Sequence, residues 1–413
     1  MSQPFPEITG SHDLVTRRSF LKSSSAAALG YTLLAPGLSR AADAGEKLNV
    51  GLIGAGGRGR WIGDLFAKNG GFNLVAVADY FPDRVDAVAK SHNLPASNCF
   101  TGLNGYKKLL DLKLDAVAIE TPPYFHPQQV TDAVAAGKHI YVAKPIAVDV
   151  PGCLTIAEAG KKCSANNKAM VVDFQTRATP AYQEVLKRVH AGEIGKLVSV
   201  FAEYQTNLMF EGVDDSIRKN PGNAEVRFRG WGVDRTLSGD VITEQNIHAL
   251  DVATWFVNAN PIKAYGSGGR ARPFVGDCWD HFEVLFYFPD NLVVTFCSKQ
   301  VGFAYDDIMV RAHGMNGTAE THYGGKVWMK SREEAYNGAS PNIYQAGAEA
   351  NIEAFHKAIT SGDFSNPTVA PSVRSNLTTI LGRTAAYKNA VVTWDEMMRA
   401  NEKWEADLKG LKA

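Results

Sequence analysis

The chain has 413 residues, which is enough for two domains of ordinary size. Hydrophobic residues make up 45% of it and charged residues 21%, a composition that is typical of folded globular proteins and excludes a disordered chain. Basic and acidic residues number 43 each, so the formal net charge is zero, and this balance argues against nucleic acid as a partner.

The first 44 residues carry a twin-arginine export motif. Arg17 and Arg18 precede a modestly apolar stretch at 26–38 and a small-residue cleavage site that ends at Ala44. We expect the twin-arginine machinery to export the folded protein to the periplasm and residues 1–44 to be removed. No run of about 18 apolar residues follows, so the sequence predicts no membrane segment in the mature chain.

A dinucleotide-binding loop is predicted at the start of the mature chain. The apolar segment 47–53 is typical of a buried strand, and it leads into a G-x-G-x-x-G motif at 54–59 and then into a helical pattern. The first glycine permits a tight turn, the second lets the backbone approach a pyrophosphate, and the third lets the helix pack closely on the strand. The loop residues expected to bind the cofactor are Gly54, Gly56, Gly57, Arg58 and Gly59.

An acidic residue follows this loop at the distance that dinucleotide-binding domains require. A second predicted strand, 72–78, ends at Asp79, which lies 20 residues beyond Gly59. A carboxylate there accepts hydrogen bonds from the ribose hydroxyls and repels a 2′-phosphate, so the sequence favours NAD over NADP. Arg84 is close enough in sequence to weaken that preference.

Strands and helices alternate through the first part of the mature chain. Such alternation predicts a parallel, doubly wound sheet, and therefore an α/β Rossmann domain over residues 45–175. Ligands bind at the carboxyl ends of the strands of such a sheet, where Thr121, Pro122 and Lys144 are expected. The predicted strands are 115–121, 139–145 and 168–175, and the predicted helices are 124–137 and 151–166.

The pattern changes from about residue 196. Alternating apolar runs separated by turn residues predict a large, open, mostly antiparallel sheet. One long helix is predicted around 241–257, and helices at 343–361 and 370–388 close the chain. We therefore predict an α+β domain over 176–413, whose exposed sheet face favours a homo-oligomer. The predicted strands are 196–206, 262–268, 280–288, 292–301 and 308–313.

The sequence resembles the Gfo/Idh/MocA family over nearly all of the mature chain. The resemblance is carried by the glycine loop, by DAVAIETPPYFH at 115–126, by the pair Lys144-Pro145 and by GDVITEQNIHALD at 239–251. It implies a nicotinamide nucleotide in the first domain and an open sheet behind the substrate in the second. It also implies oxidation or reduction of a ring hydroxyl of a sugar, glycoside or cyclitol.

The resemblance assigns the reacting side chains as well. Lys144 matches the catalytic lysine of the family and His248 its catalytic histidine, and Glu244 stands where the family usually has aspartate. Ala143 replaces the glutamate that usually precedes the lysine, which indicates an altered network around that residue. His126 follows a turn that the family places near the nicotinamide.

Elementary chemistry agrees with these roles. A hydride leaves a carbinol carbon only as the hydroxyl proton is removed, and a histidine with a pKa near neutrality is suited to taking that proton. An ammonium group such as that of Lys144 can stabilise the developing alkoxide. Glu244, His248 and Asp251 are spaced i, i+4, i+7, which places them on one face of the predicted helix.

Further polar side chains are candidates for contacts with the substrate. Asp280 and His281 begin a predicted strand, where they either face the substrate or pair on the sheet surface. No metal site is predicted, because the five cysteines form no C-x-x-C pair and no H-E-x-x-H motif occurs. The candidate substrate contacts are Arg177, Trp231, Asp251, Asp280 and His281.

The motifs leave more than one function open. The first is a dehydrogenase that keeps its nucleotide tightly bound, because the periplasm offers no pool of free NAD. The second is a redox-neutral glycosidase or lyase, which oxidises a ring carbon transiently, eliminates a leaving group and returns the hydride. The histidine-containing segments of the relatives that hydrolyse glycosides are not evident in this sequence, so the dehydrogenase is favoured. A nucleotide-binding protein without catalysis is the third alternative.

Overall fold

A computed structural model of the chain describes residues 47–207, 211–272 and 276–413. The predicted export signal lies outside these residues. None of the helices in the described part combines the length and the apolar character that a membrane crossing requires. All five cysteines lie in the described part, and none is bonded to another.

The first domain contains a sheet built from consecutive, mostly buried strands. Its strands are β1 (Leu48–Ile53), β2 (Phe72–Asp79), β3 (Cys99–Thr101), β4 (Ala116–Ile119), β5 (His139–Ala143) and β6 (Met170–Asp173). Its helices are α1 (Gly57–Asn69), α2 (Pro82–His92), α3 (Gly105–Leu110), α4 (His126–Ala135) and α5 (Val150–Ala165). All strand pairs are parallel, in the order β3-β2-β1-β4-β5-β6.

This sheet confirms the predicted doubly wound Rossmann fold. β4 and β5 are buried along their whole length, as strands covered by helices on both faces must be. The strands predicted from apolar runs lie within about two residues of the observed ones. β3 is not predicted from the sequence, because two of its three residues are only partly buried, the third is exposed, and they carry no periodic pattern.

The second domain begins with two helices and a long central strand. Its helices are α6 (Gln175–Ala178), α7 (Pro180–His190), α8 (Glu211–Lys219), α9 (Ala224–Arg229), α10 (Arg235–Ser238), α11 (Val241–Glu244), α12 (Ile247–Val257), α13 (Ile343–Ser361), α14 (Val369–Lys388) and α15 (Trp394–Ala400). Its strands are β7 (Leu197–Thr206), β8 (Lys263–Gly269), β9 (His281–Tyr287), β10 (Val293–Gln300), β11 (Asp307–Gly314), β12 (Gly317–His322), β13 (Lys326–Ser331), β14 (Ala335–Ala339) and β15 (Val392–Thr393).

These strands form one mixed sheet in the order β14-β13-β12-β11-β7-β10-β9-β8-β15. The β10–β7 pair is parallel and the other pairs are antiparallel, which confirms the predicted, mostly antiparallel sheet. Phe282, Val284 and Phe286 of β9 face a core that includes residues of α12 and α14. The homo-oligomer expected from the opposite face of the sheet stays a prediction.

The predicted helix over 241–257 is wrong in one respect, because it is two helices. α11 ends at Glu244 and α12 begins at Ile247. Between them, the buried side chain of Gln245 accepts hydrogen bonds from Tyr204 of β7 (3.2 Å) and Gln300 of β10 (2.7 Å). These bonds hold the residues between the two helices against the sheet. Such long-range contacts cannot be predicted from a periodic pattern in the sequence.

The predicted domain boundary after residue 175 falls at the first residue of α6, just beyond β6. Contacts nevertheless cross it, because Ile352 and Phe355 of α13 pack with Phe66 of α1 and Tyr141 of β5 in one core cluster. α13 of the second domain therefore covers part of the first sheet. This packing places the start of α13 beside the glycine loop.

Candidate active site

A cleft opens at the carboxyl ends of β1, β2 and β4. We call it the glycine-loop cleft. Its walls include the predicted residues Gly54, Gly56, Gly57, Arg58, Gly59, Asp79, Thr121 and Pro122, and also Tyr80, Phe81, Arg84, Glu120, Phe228 and Trp231.

The physical reason for having glycine differs from one position of the loop to the next. Gly54 has φ = 93°, and an added Cβ would lie 2.6 Å from the backbone of Glu120. A Cβ on Gly59 would lie 1.9 Å from the carbonyl oxygen of Gly54, so the packing of α1 on β1 requires glycine there. A Cβ on Gly56 would meet only the Arg84 guanidinium, at 3.6 Å. The protein itself leaves that space open, which suits the close approach of a pyrophosphate.

The start of α1 provides donors for the same group. Gly56 is the N-terminal cap of this 13-residue helix and has no side chain that could satisfy the first backbone N–H groups. Such a helix end attracts phosphate through its free N–H groups and its dipole. The residues present therefore fit a dinucleotide, with its pyrophosphate over the loop.

Asp79 connects the loop to the end of β2. One carboxylate oxygen accepts a hydrogen bond from the N–H of Ala55 (2.7 Å) and the other from the N–H of Phe81 (2.9 Å). Arg84 lies 3.9 Å from the carboxylate and stacks over the Phe81 ring at 4.7 Å. Because each carboxylate oxygen can accept a further bond, Asp79 can hold ribose hydroxyls while it orders the loop.

We expect Asp79→Ala to weaken NAD binding by about tenfold or more, since a hydrogen bond to a charged group contributes about 1.5–3 kcal/mol. NADP binding should fall less, because the same change removes repulsion of the 2′-phosphate. Titration of the purified protein with each nucleotide measures both affinities. Asp79→Asn retains one of the two backbone acceptors and removes the charge, so it separates repulsion of the 2′-phosphate from complete loss of the loop contacts. Equal losses for NAD and NADP in Asp79→Ala would contradict the assignment.

Lys144 and Glu244 meet across the two domains. The Lys144 ammonium donates to the backbone carbonyl of Glu244 at 2.6 Å and lies 3.4 Å from its carboxylate. The lysine side chain is 9% exposed, and burial lowers its pKa, with Arg58 adding to the shift and Glu244 opposing it. The end of β5 and the end of α11 therefore meet at Lys144 and Glu244.

His248 lies in the first turn of α12, one helix beyond Glu244. Burial lowers the pKa of its imidazole well below the usual value, and the positive charges of Lys144 and Arg58 add to the shift. The ring packs edge-on to Tyr323 at 5.4 Å, and within the described part of the chain its Nδ1 has no hydrogen-bond partner. His248 is thus neutral at physiological pH and can accept a proton, but its pKa lies below the near-neutral value expected from the sequence.

A buried cluster of charged side chains that was not predicted from the sequence acts electrostatically on Lys144. Arg58 bonds to Asp173 at the end of β6 and lies 3.1 Å from the carboxylate of Glu120, whose side chain is fully buried. Burial raises the pKa of Glu120 to about 7, although Arg58 opposes the shift. Burial alone would lower the pKa of Arg58, but Asp173 and Glu120 raise it. The guanidinium is therefore committed to these carboxylates at the inner end of the cleft.

One pattern in the sequence could have indicated this cluster. Glu120 and Asp173 both end or follow parallel strands, where ligand sites of such sheets lie. β4 pairs with β5 so that Ile119 lies beside Val142, which brings Glu120 next to Ala143. The carboxylate is thus adjacent to the position at which the sequence lacks the expected glutamate.

The structure places His126 differently from its prediction. Its side chain is fully buried, and its two ring nitrogens lie 2.9 Å from the carbonyl oxygen of Pro145 and 2.7 Å from that of Thr121. Burial lowers its pKa to about 4. His126 therefore holds the turns that carry Thr121 and Lys144 together, and its ring does not line the glycine-loop cleft.

Asp251 and Arg177 also differ from the prediction. Because the helix breaks after Glu244, the residues Glu244, His248 and Asp251 do not lie on one continuous helix. Asp251 is buried against α14. Its carboxylate accepts from Arg177 (2.8 and 3.1 Å) and from Ser375 (2.6 Å). These two predicted substrate contacts are an ion pair within the second domain.

The remaining predicted substrate contacts lie elsewhere. Trp231 lines the glycine-loop cleft near Phe81, on the side of Asp79 rather than beside Lys144. Asp280 is buried and accepts hydrogen bonds from the backbone N–H groups of Ala271 and Arg272, so it orders the loop after β8. His281 is bonded to Asp280 and lies on the face of β9 opposite to its core residues. Among the residues described, no three His, Cys, Asp or Glu side chains are grouped as metal ligands.

Proteins of known activity are similar to this chain over much of its length. Inositol 2-dehydrogenase of Acidothermus cellulolyticus is 28% identical over 286 residues, which cover 66% of this chain and 72% of that protein. The scyllo-inositol 2-dehydrogenase (NAD(+)) of Bacillus subtilis is 27% identical over 237 residues, which cover 56% of this chain and 61% of that protein.

Solved structures share the fold. Scyllo-inositol dehydrogenase from Lactobacillus casei, with bound NAD(H) and scyllo-inositol, superposes with a TM-score of 0.67 at 19% identity and covers 85% of this chain and 100% of that chain. Levoglucosan dehydrogenase in complex with NADH and levoglucosan superposes with a TM-score of 0.68 at 19% identity and covers 84% of this chain and 99% of that chain.

Family models match both domains. Residues 48–173 match the oxidoreductase family with an NAD-binding Rossmann fold, and residues 182–320 match the Gfo/Idh/MocA C-terminal domain. Together these matches cover most of the described chain. The protein therefore belongs to the Gfo/Idh/MocA family of oxidoreductases.

Proposed function

We propose that the protein is an NAD-dependent dehydrogenase that acts on a ring hydroxyl of a cyclitol, sugar or glycoside. The observation that carries the proposal is the glycine-loop cleft, whose wall residues Arg58 and Glu120 form a buried ion pair. The positive charges of Arg58 and Lys144 both act on His248, so these side chains lie near one another. The similarity to inositol dehydrogenases supports the class of substrate.

The residues divide the chemistry between them. A bound nicotinamide supplies the hydride acceptor. Neutral His248 takes the hydroxyl proton of the substrate, and Lys144 stabilises the negative charge that develops on the same oxygen. Glu244 accepts from Lys144 and so orients the ammonium group.

The test of this function begins with the purified protein. Its bound nucleotide is released and identified, and cyclitols, sugars and glycosides are then screened for a change in absorbance at about 340 nm. We expect NAD to be found and at least one polyol ring to be oxidised with a stoichiometric change in NADH. Cleavage of a glycoside with no net change in NADH would instead show a redox-neutral glycosidase or lyase.

We further propose that the enzyme works in the periplasm with a retained nucleotide. An enzyme that released NAD there would stop after one turnover. A retained NADH must in turn pass its hydride to a second substrate that carries a carbonyl group, or back to the same molecule, before the next oxidation can begin. The twin-arginine motif in the first 44 residues supports this location, since this route exports folded proteins, often with a cofactor already bound.

Replacing both Arg17 and Arg18 by lysine is expected to leave the precursor in the cytoplasm, because the twin arginines are the signal that the export machinery reads. Cell fractionation followed by determination of the N-terminus measures the result, with a mature start near Gly45 in the wild type. Arg40→Lys, in the same segment but outside the motif, is the matched control. Unimpaired export of the double variant would refute this route.

A further inference from the structure

The far end of the glycine-loop cleft is walled by the second domain. Asp79 marks the position of the adenosine ribose, so the cleft beyond it, beside Tyr80 and Phe81, is the adenine end. Phe228 of α9 lines this end and packs against the rings of Tyr80 (5.1 Å) and Phe81 (5.8 Å). Trp231 follows it in a short 3₁₀ turn on the same wall.

Polar contacts fasten α9 to the Rossmann domain. Arg229 donates two hydrogen bonds to the carboxylate of Asp83 in α2 (3.0 and 2.8 Å). Its guanidinium also lies 3.9 Å from the centre of the Phe81 ring. Tyr80 donates to Glu225, in the first turn of α9, at 2.9 Å. The wall is therefore held on the ribose side of the cleft by contacts that are not part of the glycine motif.

The last residues of the chain lie behind this wall. We call residues 401–413 the C-terminal segment. Leu408 and Leu411 pack in one apolar cluster with Phe228, Tyr80 and Phe81. The segment thus fills the space that would otherwise let α9 move away from the cleft.

Hydrogen bonds fix both ends of the C-terminal segment. Near its start, the N–H of Trp404 donates to Asp149 (2.8 Å), and the Trp404 ring stacks 3.6 Å from the Arg383 guanidinium. Near its end, the N–H of Lys412 donates to the Tyr80 hydroxyl (3.0 Å) and its carbonyl accepts from the N–H of Leu103 (3.1 Å). Leu103 itself lines the glycine-loop cleft.

We propose that α9, the Trp231 turn and the C-terminal segment form a clamp over the adenine end of the nucleotide and slow its release. The inference rests on the proposed function, since it supplies the retention that a periplasmic dehydrogenase needs. The glycine loop and Asp79 hold the pyrophosphate and the ribose, and the clamp covers the adenine with apolar side chains. Because affinity differences reside mostly in dissociation rates, its effect is on release.

The test compares release rates of NADH. The purified full-length protein is loaded with NADH and mixed in a stopped-flow instrument with a large excess of NAD, and the loss of nucleotide fluorescence gives the rate. One variant ends at Asp407 and so lacks Leu408, Leu411 and Lys412 but keeps the Trp404 anchor. The second is Arg229→Ala, and the control is Arg399→Ala, an exposed arginine of α15.

We expect both clamp variants to release NADH about tenfold faster or more, and the control to match the wild type. Rates within about twofold of the wild type in both variants would overturn the clamp while leaving the proposed function intact. If the truncated chain unfolds, as judged by thermal melting, Arg229→Ala alone decides. A wild-type protein that carries no nucleotide after purification and also takes up no NADH would overturn the proposed function and the clamp with it.

Discussion

Replacing His248 by alanine or Lys144 by methionine is expected to lower turnover by roughly a hundredfold or more each, the usual scale for positioned acid–base groups. The first change removes the proton acceptor and the second removes the charge that stabilises the alkoxide. Nucleotide content should stay near that of the wild type, because neither side chain lies in the glycine loop. Turnover with the identified substrate and the co-purified nucleotide are measured on the same preparations.

The two variants can be distinguished from general damage. His190→Ala and Lys161→Met replace exposed residues of the same types on α7 and α5 and should retain turnover. In Lys144→Met, loss of a positive charge that lowers the pKa of His248 should raise that pKa. The base must be unprotonated, so the acid limb of the kcat/KM profile should move to higher pH. Wild-type turnover in both His248→Ala and Lys144→Met would show that the residue assignment is wrong.

Alanine substitutions in the glycine loop are expected to separate folding from nucleotide binding. Gly59→Ala places a methyl group 1.9 Å from a backbone oxygen that cannot move without breaking the turn. It should lower the free energy of unfolding by about 1–3 kcal/mol or more even without nucleotide. Gly56→Ala meets no backbone atom and should leave that free energy almost unchanged, yet weaken nucleotide binding about tenfold or more because its methyl group occupies the space of the pyrophosphate.

Denaturant unfolding of nucleotide-free protein and titration with NAD measure the two quantities. Gly222→Ala, whose added Cβ meets nothing within 4 Å, is the matched control for both. Equal nucleotide affinity in Gly56→Ala and the wild type would show that the pyrophosphate does not lie over this loop. Equal stability of Gly59→Ala and the wild type would show that α1 packs less tightly on β1 than the structure indicates.

The Rossmann domain and its cofactor loop could be predicted from the sequence because their determinants are local. A strand, a glycine turn and a helix are consecutive in the chain, and Asp79 follows at the spacing that one β-α-β unit imposes. Buried parallel strands such as β4 and β5 also appear as continuous apolar runs. The positions of Lys144 and His248 in the chain were also evident, because each lies in a short motif that carries the family resemblance.

Only the tertiary structure decided which polar side chains face the site. Gln245 breaks a helix through bonds to two strands, and Asp251 is drawn into an ion pair with Arg177. His126 is enclosed between two turns. Glu120 has a pKa near 7 because of burial among groups distant in sequence. Each outcome depends on packing and desolvation between remote segments, and helical or strand periodicity contains no information about either.

The way the cleft is enclosed also separates what local sequence determines from what long-range packing determines. The glycine loop and Asp79 were identified from spacing alone, whereas the C-terminal segment reaches Tyr80 across more than 300 residues of sequence. Its composition is polar and carries no distinctive pattern. Its leucines become partly buried only because they pack against Phe228 and Phe81, which are distant in sequence. Local spacing thus determined what the protein binds, and long-range packing determined how the site is enclosed, because burial is a property of the folded chain as a whole.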